Sequence, residues 1–204
     1  MKVFVTGGSG FAGSTIVSRL VEVGHTVTAL ARSSSSARKV EALGAKSWSG
    51  DLADPESLRG GLESQDCVVH CAAHFQFHGP SQPFFEINVK GTQSLLRAAR
   101  EAGVSRFMFI SAAAVVMDDE GKPLLNVDET YPVNSGSRFP YIASKAEAET
   151  LVLRANDDKM KTLALRPPSI WGPGDAYSKR LPKAVRRLSF AWIDGGNVDC
   201  VTCH

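Results

Sequence analysis

No apolar run in this sequence reaches the length of a membrane-spanning helix, which takes roughly 20 residues. A charge imbalance is missing too: 23 Lys and Arg stand against 21 Asp and Glu, for a net +2. Composition therefore gives no argument for a nucleic acid or an acidic surface as partner. There is no internal repeat and no low-complexity segment. The first apolar strand already begins at Lys2, which leaves no room for a signal peptide. A cytoplasmic location is the expectation, with the four cysteines as thiols. Cys200-Val-Thr-Cys203-His204 matches the pattern for covalent haem attachment. With no export signal before it and no chain after it to wrap a haem, it reads as coincidence, and no metal site is expected.

What is present is an ordinary globular composition, 43% apolar and 22% charged over 204 residues, enough for one domain with a full core. The most informative stretch comes first. Val3-Phe-Val5 is a short apolar run that ends in Thr6, followed by Gly7, Gly8, Gly10 and Gly13. Gly8, Gly10 and Gly13 have the spacing of the dinucleotide fingerprint, and Gly7 adds a fourth glycine. Glycine suits a tight turn, close approach of backbone to a pyrophosphate, and close packing of helix on strand. Ile16, Val17, Leu20 and Val21 then give a helical period at once. The first turn of that helix, from Phe11 and Ala12 to Gly13, would point its amides at phosphate, with Ser9 beside it.

Strands and helices alternate from there, which predicts a parallel sheet covered on both faces. Strands are expected at Thr26–Ala31, Ala45–Ser49, Cys67–His70, Arg106–Ser111 and Thr162–Arg166, and helices at Ser33–Leu43, Pro83–Glu101 and Pro140–Ala155. Another helix starts at Asp54-Pro55. Right-handed crossovers order six strands 3-2-1-4-5-6, a doubly wound α/β Rossmann sheet. A Rossmann domain is expected over residues 1–170 and the start of a C-terminal substrate-binding part over 171–204. In that second part a basic amphipathic stretch, Lys179–Phe190, is followed by Asp194-Gly-Gly196 with no seventh strand evident.

Tyr141 and Lys145 stand at i and i+4, on one face of a helix. A free phenol has a pKa near ~10, and a nearby cation favours its ionised form. The pair opens a helix just after the fifth strand, beside the carboxyl edge where a dinucleotide would place its reactive ring. His74-Phe-Gln-Phe-His78 has i, i+4 histidines without an intervening Glu. It reads as substrate-pocket wall or as ordinary loop.

Together the fingerprint and the Tyr–Lys pair resemble the extended branch of the short-chain dehydrogenase/reductase superfamily. Asp51-Leu52 looks like its adenine-contacting pair, and Cys71-Ala72-Ala73 like its small-residue segment passing close to the cofactor. Asn88-Val-Lys-Gly91-Thr92 resembles its helix motif, and Arg166-Pro-Pro168-Ser-Ile170-Trp-Gly-Pro-Gly174 its segment beside the nicotinamide. The wording of the last stretch is closest to the 3β-hydroxysteroid dehydrogenase and dihydroflavonol reductase-like members. The resemblance implies an oxidoreductase that interconverts a secondary alcohol and a ketone on a small organic substrate. Tyr141 would move the hydroxyl proton, and Lys145 would lower its pKa and hold the nicotinamide ribose. The rival readings are a sugar-nucleotide epimerase or dehydratase, and a catalytically impaired nucleotide-binding protein.

One position departs from the family. Its catalytic Ser or Thr follows the fifth strand, where this chain reads Ser111-Ala112-Ala113-Ala114-Val115. Aligned on Val115 the hydroxyl position falls on Ala112, with Ser111 one place early. Either Ser111 or another group supplies the hydroxyl, or Tyr141 polarises the carbonyl alone, or the chain is impaired. Cofactor choice rests on the end of the second strand, where an Asp or Glu would hold the ribose of NAD. Arg32-Ser33 stands there instead, a guanidinium fork and a hydroxyl suited to a 2′-phosphate, which predicts NADP with NAD as the alternative. The chain is expected to be a fragment, or the ordered part of a longer chain, with an incomplete substrate pocket. The apolar faces of Ile170, Leu181, Val185, Leu188 and Phe190 would then favour association, a homodimer being one outcome.

Overall fold

A computed structural model of the chain describes residues 1–76 and 79–187, and the backbone at 202–203. It divides into two compact units, Met1–Arg166 and Pro167–His204.

The first unit is built on one six-stranded parallel sheet in the order β3-β2-β1-β4-β5-β6. The strands are β1 Lys2–Thr6, β2 Thr26–Ala31, β3 Lys46–Ser49, β4 Cys67–His70, β5 Arg106–Ile110 and β6 Lys161–Leu165. Because a strand alternates its side chains, each face collects every second residue. Phe4, Val68, Phe107 and Phe109 point to one face and pack with Leu58, Leu62, Leu95, Ala99 and Val152. Those partners come from α3 (Pro55–Leu62), α5 (Gly91–Glu101) and α6 (Pro140–Arg154). On the other face Val3, Val5, Val27, Ala29 and Val69 pack with Val17 and Val40, from α1 (Phe11–Glu22) and α2 (Ser34–Glu41). Central strands buried on both sides explain why the sequence reads there as continuous apolar runs. The edge strand β6 differs, with Leu163 and Leu165 both exposed.

Several boundaries move by a residue or two from those read in the sequence. Ser33 lies outside α2 as its cap: its hydroxyl accepts from the Ser36 amide, and the Ser36 hydroxyl takes the Ser33 amide in return. The long helix expected from Pro83 begins at Ser81 and is not uniform. A short α4 (Ser81–Phe84) passes into a π-helical stretch, Phe85–Lys90, before α5. Ser111 falls just past β5, and a 3-10 turn, Ala113–Val116, follows it.

The second unit adds a parallel pair, β7 (Ser169–Ile170) with β8 (Thr202–Cys203). Pro168 and Ile170 are half-buried. Asp175 caps α7 (Ala176–Arg186): its carboxylate accepts from the Ser178 amide at 2.6 Å and from the Gly172 amide at 2.7 Å. Leu181 and Val185 are exposed. Leu188, Phe190, Asp194-Gly-Gly196, Cys200, His204 and, in the first unit, His78 lie outside the described residues. Among the described residues no helix is long and apolar enough to cross a membrane.

Candidate active site

Two of the glycines after β1 have steric reasons that can be measured. Gly7 sits at φ +72°, and a Cβ there would stand 2.6 Å from the backbone nitrogen of Ala72. A Cβ on Gly13 would stand 2.1 Å from the Gly7 carbonyl oxygen. The loop is thus folded onto Cys71-Ala72 and against its own helix, with no room for a side chain on either side. The Gly10 amide closes the turn on the Gly7 carbonyl at 2.9 Å. Gly10 is also the N-cap of α1, and no side chain caps that helix. The amides of Phe11, Ala12 and Gly13 are therefore the unsatisfied donors of a helix start, at its positive end. A dinucleotide's pyrophosphate fits such a cradle, and Ser9 and Ala12 border it half-buried.

Leu52 is buried, and a Cβ on Gly91 would stand 3.1 Å from the Leu52 Cβ, so the motif after β3 sits on the start of α5. Asp51 is half-buried, with one carboxylate oxygen taken by the Ala53 amide at 3.0 Å. Arg32 is exposed at the end of β2. The Ser33 hydroxyl beside it is occupied in capping α2.

Behind the loop runs a buried polar chain whose members the sequence reading did not connect. His70 ends β4 fully buried, with Nδ1 2.6 Å from the Thr6 hydroxyl and Nε2 2.9 Å from the Thr92 hydroxyl. Thr92 donates its one proton to the Asn88 carbonyl at 2.6 Å, so the proton between Thr92 and His70 must belong to Nε2. His70 is thereby fixed as the Nε2–H tautomer, and its Nδ1 accepts from Thr6. The Thr6 oxygen in turn accepts the Ala72 amide at 3.2 Å. Burial first, and then the charge of Lys145, push His70 down to about 3, so the ring is neutral. Its signal in the sequence was a polar residue at the end of a strand buried along its whole length.

Asn88 lies in the π-helical stretch and uses both ends of its amide on protein. Its oxygen accepts the His74 amide at 2.7 Å, and its nitrogen donates to the His74 carbonyl at 3.2 Å and the Ser144 hydroxyl at 3.0 Å. It ties the segment after β4 to the first turns of α6, where Ser144 donates to the Tyr141 carbonyl at 3.1 Å. π-Helical turns of this kind recur at functional sites.

On α6, Tyr141, Lys145 and Glu149 stand on one face, four residues apart. Lys145 is 2% exposed, and its ammonium donates to the Ile110 carbonyl at 2.6 Å and sits 3.9 Å from the centre of the Phe109 ring. Burial lowers Lys145 to about 7 against the opposing pull of Cys71 and Glu149. The Cys71 thiol is pushed up to about 12 by burial, with Lys145 opposing. Tyr141 is also pushed up to about 12, and burial alone does it. The sequence reading expected Lys145 to lower that phenol. The structure instead spends the ammonium on Ile110 and leaves desolvation to decide.

Ser111 is buried, and its hydroxyl proton goes to Glu149 Oε2 at 2.5 Å. Glu149 Oε1 accepts from Arg166 Nε at 3.0 Å and Nη2 at 2.6 Å. The Ala112 side chain, half-buried at the cap of the 3-10 turn, carries no hydroxyl.

A glycine-cradled helix start on a 3-2-1-4-5-6 sheet, with a Tyr–Lys helix after β5, defines an extended short-chain dehydrogenase/reductase. More narrowly, the sequence profile of the 3-beta hydroxysteroid dehydrogenase/isomerase family matches residues 4–201, and the chain belongs to that family. It is 42% identical to a 4-hydroxy-2-methyl-3-oxo-4-farnesyl-3,4-dihydroquinoline-1-oxide ketoreductase of Stigmatella aurantiaca, over 100% of this chain and 61% of that protein. To a 2-alkyl-3-oxoalkanoate reductase of Stenotrophomonas maltophilia it is 38% identical, over 97% of this chain and 60% of the relative. The chain thus spans about three fifths of the length of these curated relatives. Among solved structures it resembles the UDP-glucose 4-epimerase of Thermus thermophilus in complex with NAD. The TM-score is 0.73 at 29% identity, over 87% of this chain and 58% of that one.

Proposed function

We propose that this chain carries the cofactor half of an NADP(H)-preferring oxidoreductase that interconverts a ketone and a secondary alcohol, with NAD as the alternative cofactor. The observation that carries the reading is the Tyr141–Lys145 pair, set on α6 beside the end of β5 and tied by Asn88 and Ser144 to the segment after β4. The loop from Gly7 to Gly13 would hold the pyrophosphate, Asp51 and Leu52 would meet the adenosine, and Arg32 would take the 2′-phosphate. Cys71-Ala72-Ala73 lets the cofactor pass closely, and Pro168 and Ile170 are carried over from the family motif as contacts to it. When bound, the nicotinamide supplies or accepts the hydride. The chain's own residues manage the proton. A phenol pushed up to about 12 stays protonated at neutral pH, so Tyr141 is set to donate to a ketone oxygen as negative charge develops there. Lys145 would hold the ribose. With the Ser111 proton committed to Glu149, Tyr141 polarises the carbonyl without a second hydroxyl.

The curated relatives named as reductases favour this reading over an epimerase. The epimerase fold neighbours keep that alternative as the second reading. Steady consumption of NADPH on adding a lipophilic ketone is the expected result. Tyr141→Phe should cut turnover by roughly 10²–10⁴-fold and leave NADPH affinity nearly unchanged. Full activity in that variant would defeat the mechanism, and turnover of a nucleotide sugar without net cofactor consumption would favour the epimerase.

A further inference from the structure

The segment after β4 sets an aromatic ring against the phenol proposed to deliver the proton. Asn88 grips both backbone groups of His74, and the His74 ring packs edge-on against buried Phe84, with centroids 4.6 Å apart. The next residue, Phe75, is thus carried on a backbone fixed at two points. Its ring meets Tyr141 edge-to-face at 4.9 Å and 80°, yet it remains 54% exposed. One exposed phenylalanine is common on protein surfaces. This one follows a residue held by a buried asparagine, and it leans on the phenol proposed to deliver the proton.

We infer that Phe75 is a specificity-determining residue, the platform on which the apolar body of a ketone packs while its oxygen meets the Tyr141 hydroxyl. The inference rests on the role proposed for Tyr141 but adds what the substrate must bring: an alkyl or aryl group next to the carbonyl, rather than a sugar ring. Aromatic faces take up apolar groups with large burial and little entropy cost, because only two side-chain torsions are fixed. The same ring lies against Tyr141, which places the bound ketone beside its proton donor.

The test uses the full chain loaded with NADP⁺, which cannot reduce a ketone, and measures methyl nonyl ketone binding by calorimetry. Phe75→Ala should weaken that binding by about tenfold or more, and Phe75→Tyr, which keeps the ring, should restore it to within about twofold. Affinity for NADP⁺ should be equal in all three proteins. The inference is overturned if the alanine variant binds the ketone as well as wild type, if wild type shows no saturable binding, or if ketone and cofactor affinities fall together. Turnover with NADPH is read separately. Ketone binding that depends on Phe75 without any reduction would sink the proposed reaction and leave the platform standing.

Discussion

His70 gives the sharpest consequence of the buried polar chain. In the unfolded chain it titrates near 6.5, and in the folded one burial and Lys145 bring it to about 3. Between those values the folded state binds fewer protons than the unfolded one, so acid favours unfolding. The stabilising effect of a neutral His70 is complete above the unfolded pKa and is lost as pH falls towards the folded one. The slope is about 1.4 kcal/mol per pH unit, reaching on the order of 5 kcal/mol near the bottom of the window. The contacts act in the same direction: a proton on Nδ1 would displace the hydroxyl proton that Thr6 donates there at 2.6 Å, which would then need another acceptor. Urea unfolding of wild type and His70→Gln, stepped from neutral pH to about pH 4, isolates the effect. Glutamine keeps one donor and one acceptor but does not titrate. It should cost roughly 1–3 kcal/mol at neutral pH through imperfect contacts, and that deficit should shrink as pH falls below 6.5. Ring nitrogen NMR shifts should report a neutral Nε2–H ring at pH 5. A His70 that titrates near 6.5, or a variant whose stability falls with acid as steeply as wild type, would refute the argument.

Two further outcomes test the proposed chemistry. Arg32→Ala should weaken NADPH by roughly tenfold or more, the loss of a charge-assisted fork, and leave NADH nearly unchanged; an equal loss for both in a fluorescence titration would remove the NADP assignment. Ala112→Ser places a hydroxyl where the family carries one and should raise kcat/KM for a ketone by about tenfold; no change would mean that Tyr141 works alone or that the alignment on Val115 is off by a residue.

Much of the fold was legible because its signals are local and repeated. Strands buried on both faces read as apolar runs, and the handedness of their crossovers left one sheet order. What the sequence hid was set by contacts between distant segments. The π-helical stretch around Asn88 has no pattern of its own, and its function as a clamp needs His74 and Ser144 to arrive from elsewhere. Ser33 reads as a helix residue or a ligand hydroxyl until Ser36 turns back on it. β7 has only two residues and exists through a partner more than thirty positions on. The Tyr–Lys spacing was visible, but the sign of the effect on the phenol was not, because charge can be counted along a sequence and desolvation cannot.

The stripe Tyr141, Lys145, Glu149 on α6 bears on which hydroxyl could meet a ketone oxygen. A buried carboxylate is costly unless its oxygens are satisfied. Arg166 takes one oxygen of Glu149 and Ser111 the other. Turning Ser111 towards a substrate would leave Glu149 Oε2 without that donor, on the carboxylate whose charge opposes the desolvation of Lys145. Ser111 is therefore held by the charge balance of the helix, and Ala112 adds no donor. On the reaction proposed for this chain, the proton that meets a ketone oxygen must come from Tyr141. The burial that raises its pKa then works in the direction of reduction, because it keeps that proton on the phenol until a developing alkoxide withdraws it.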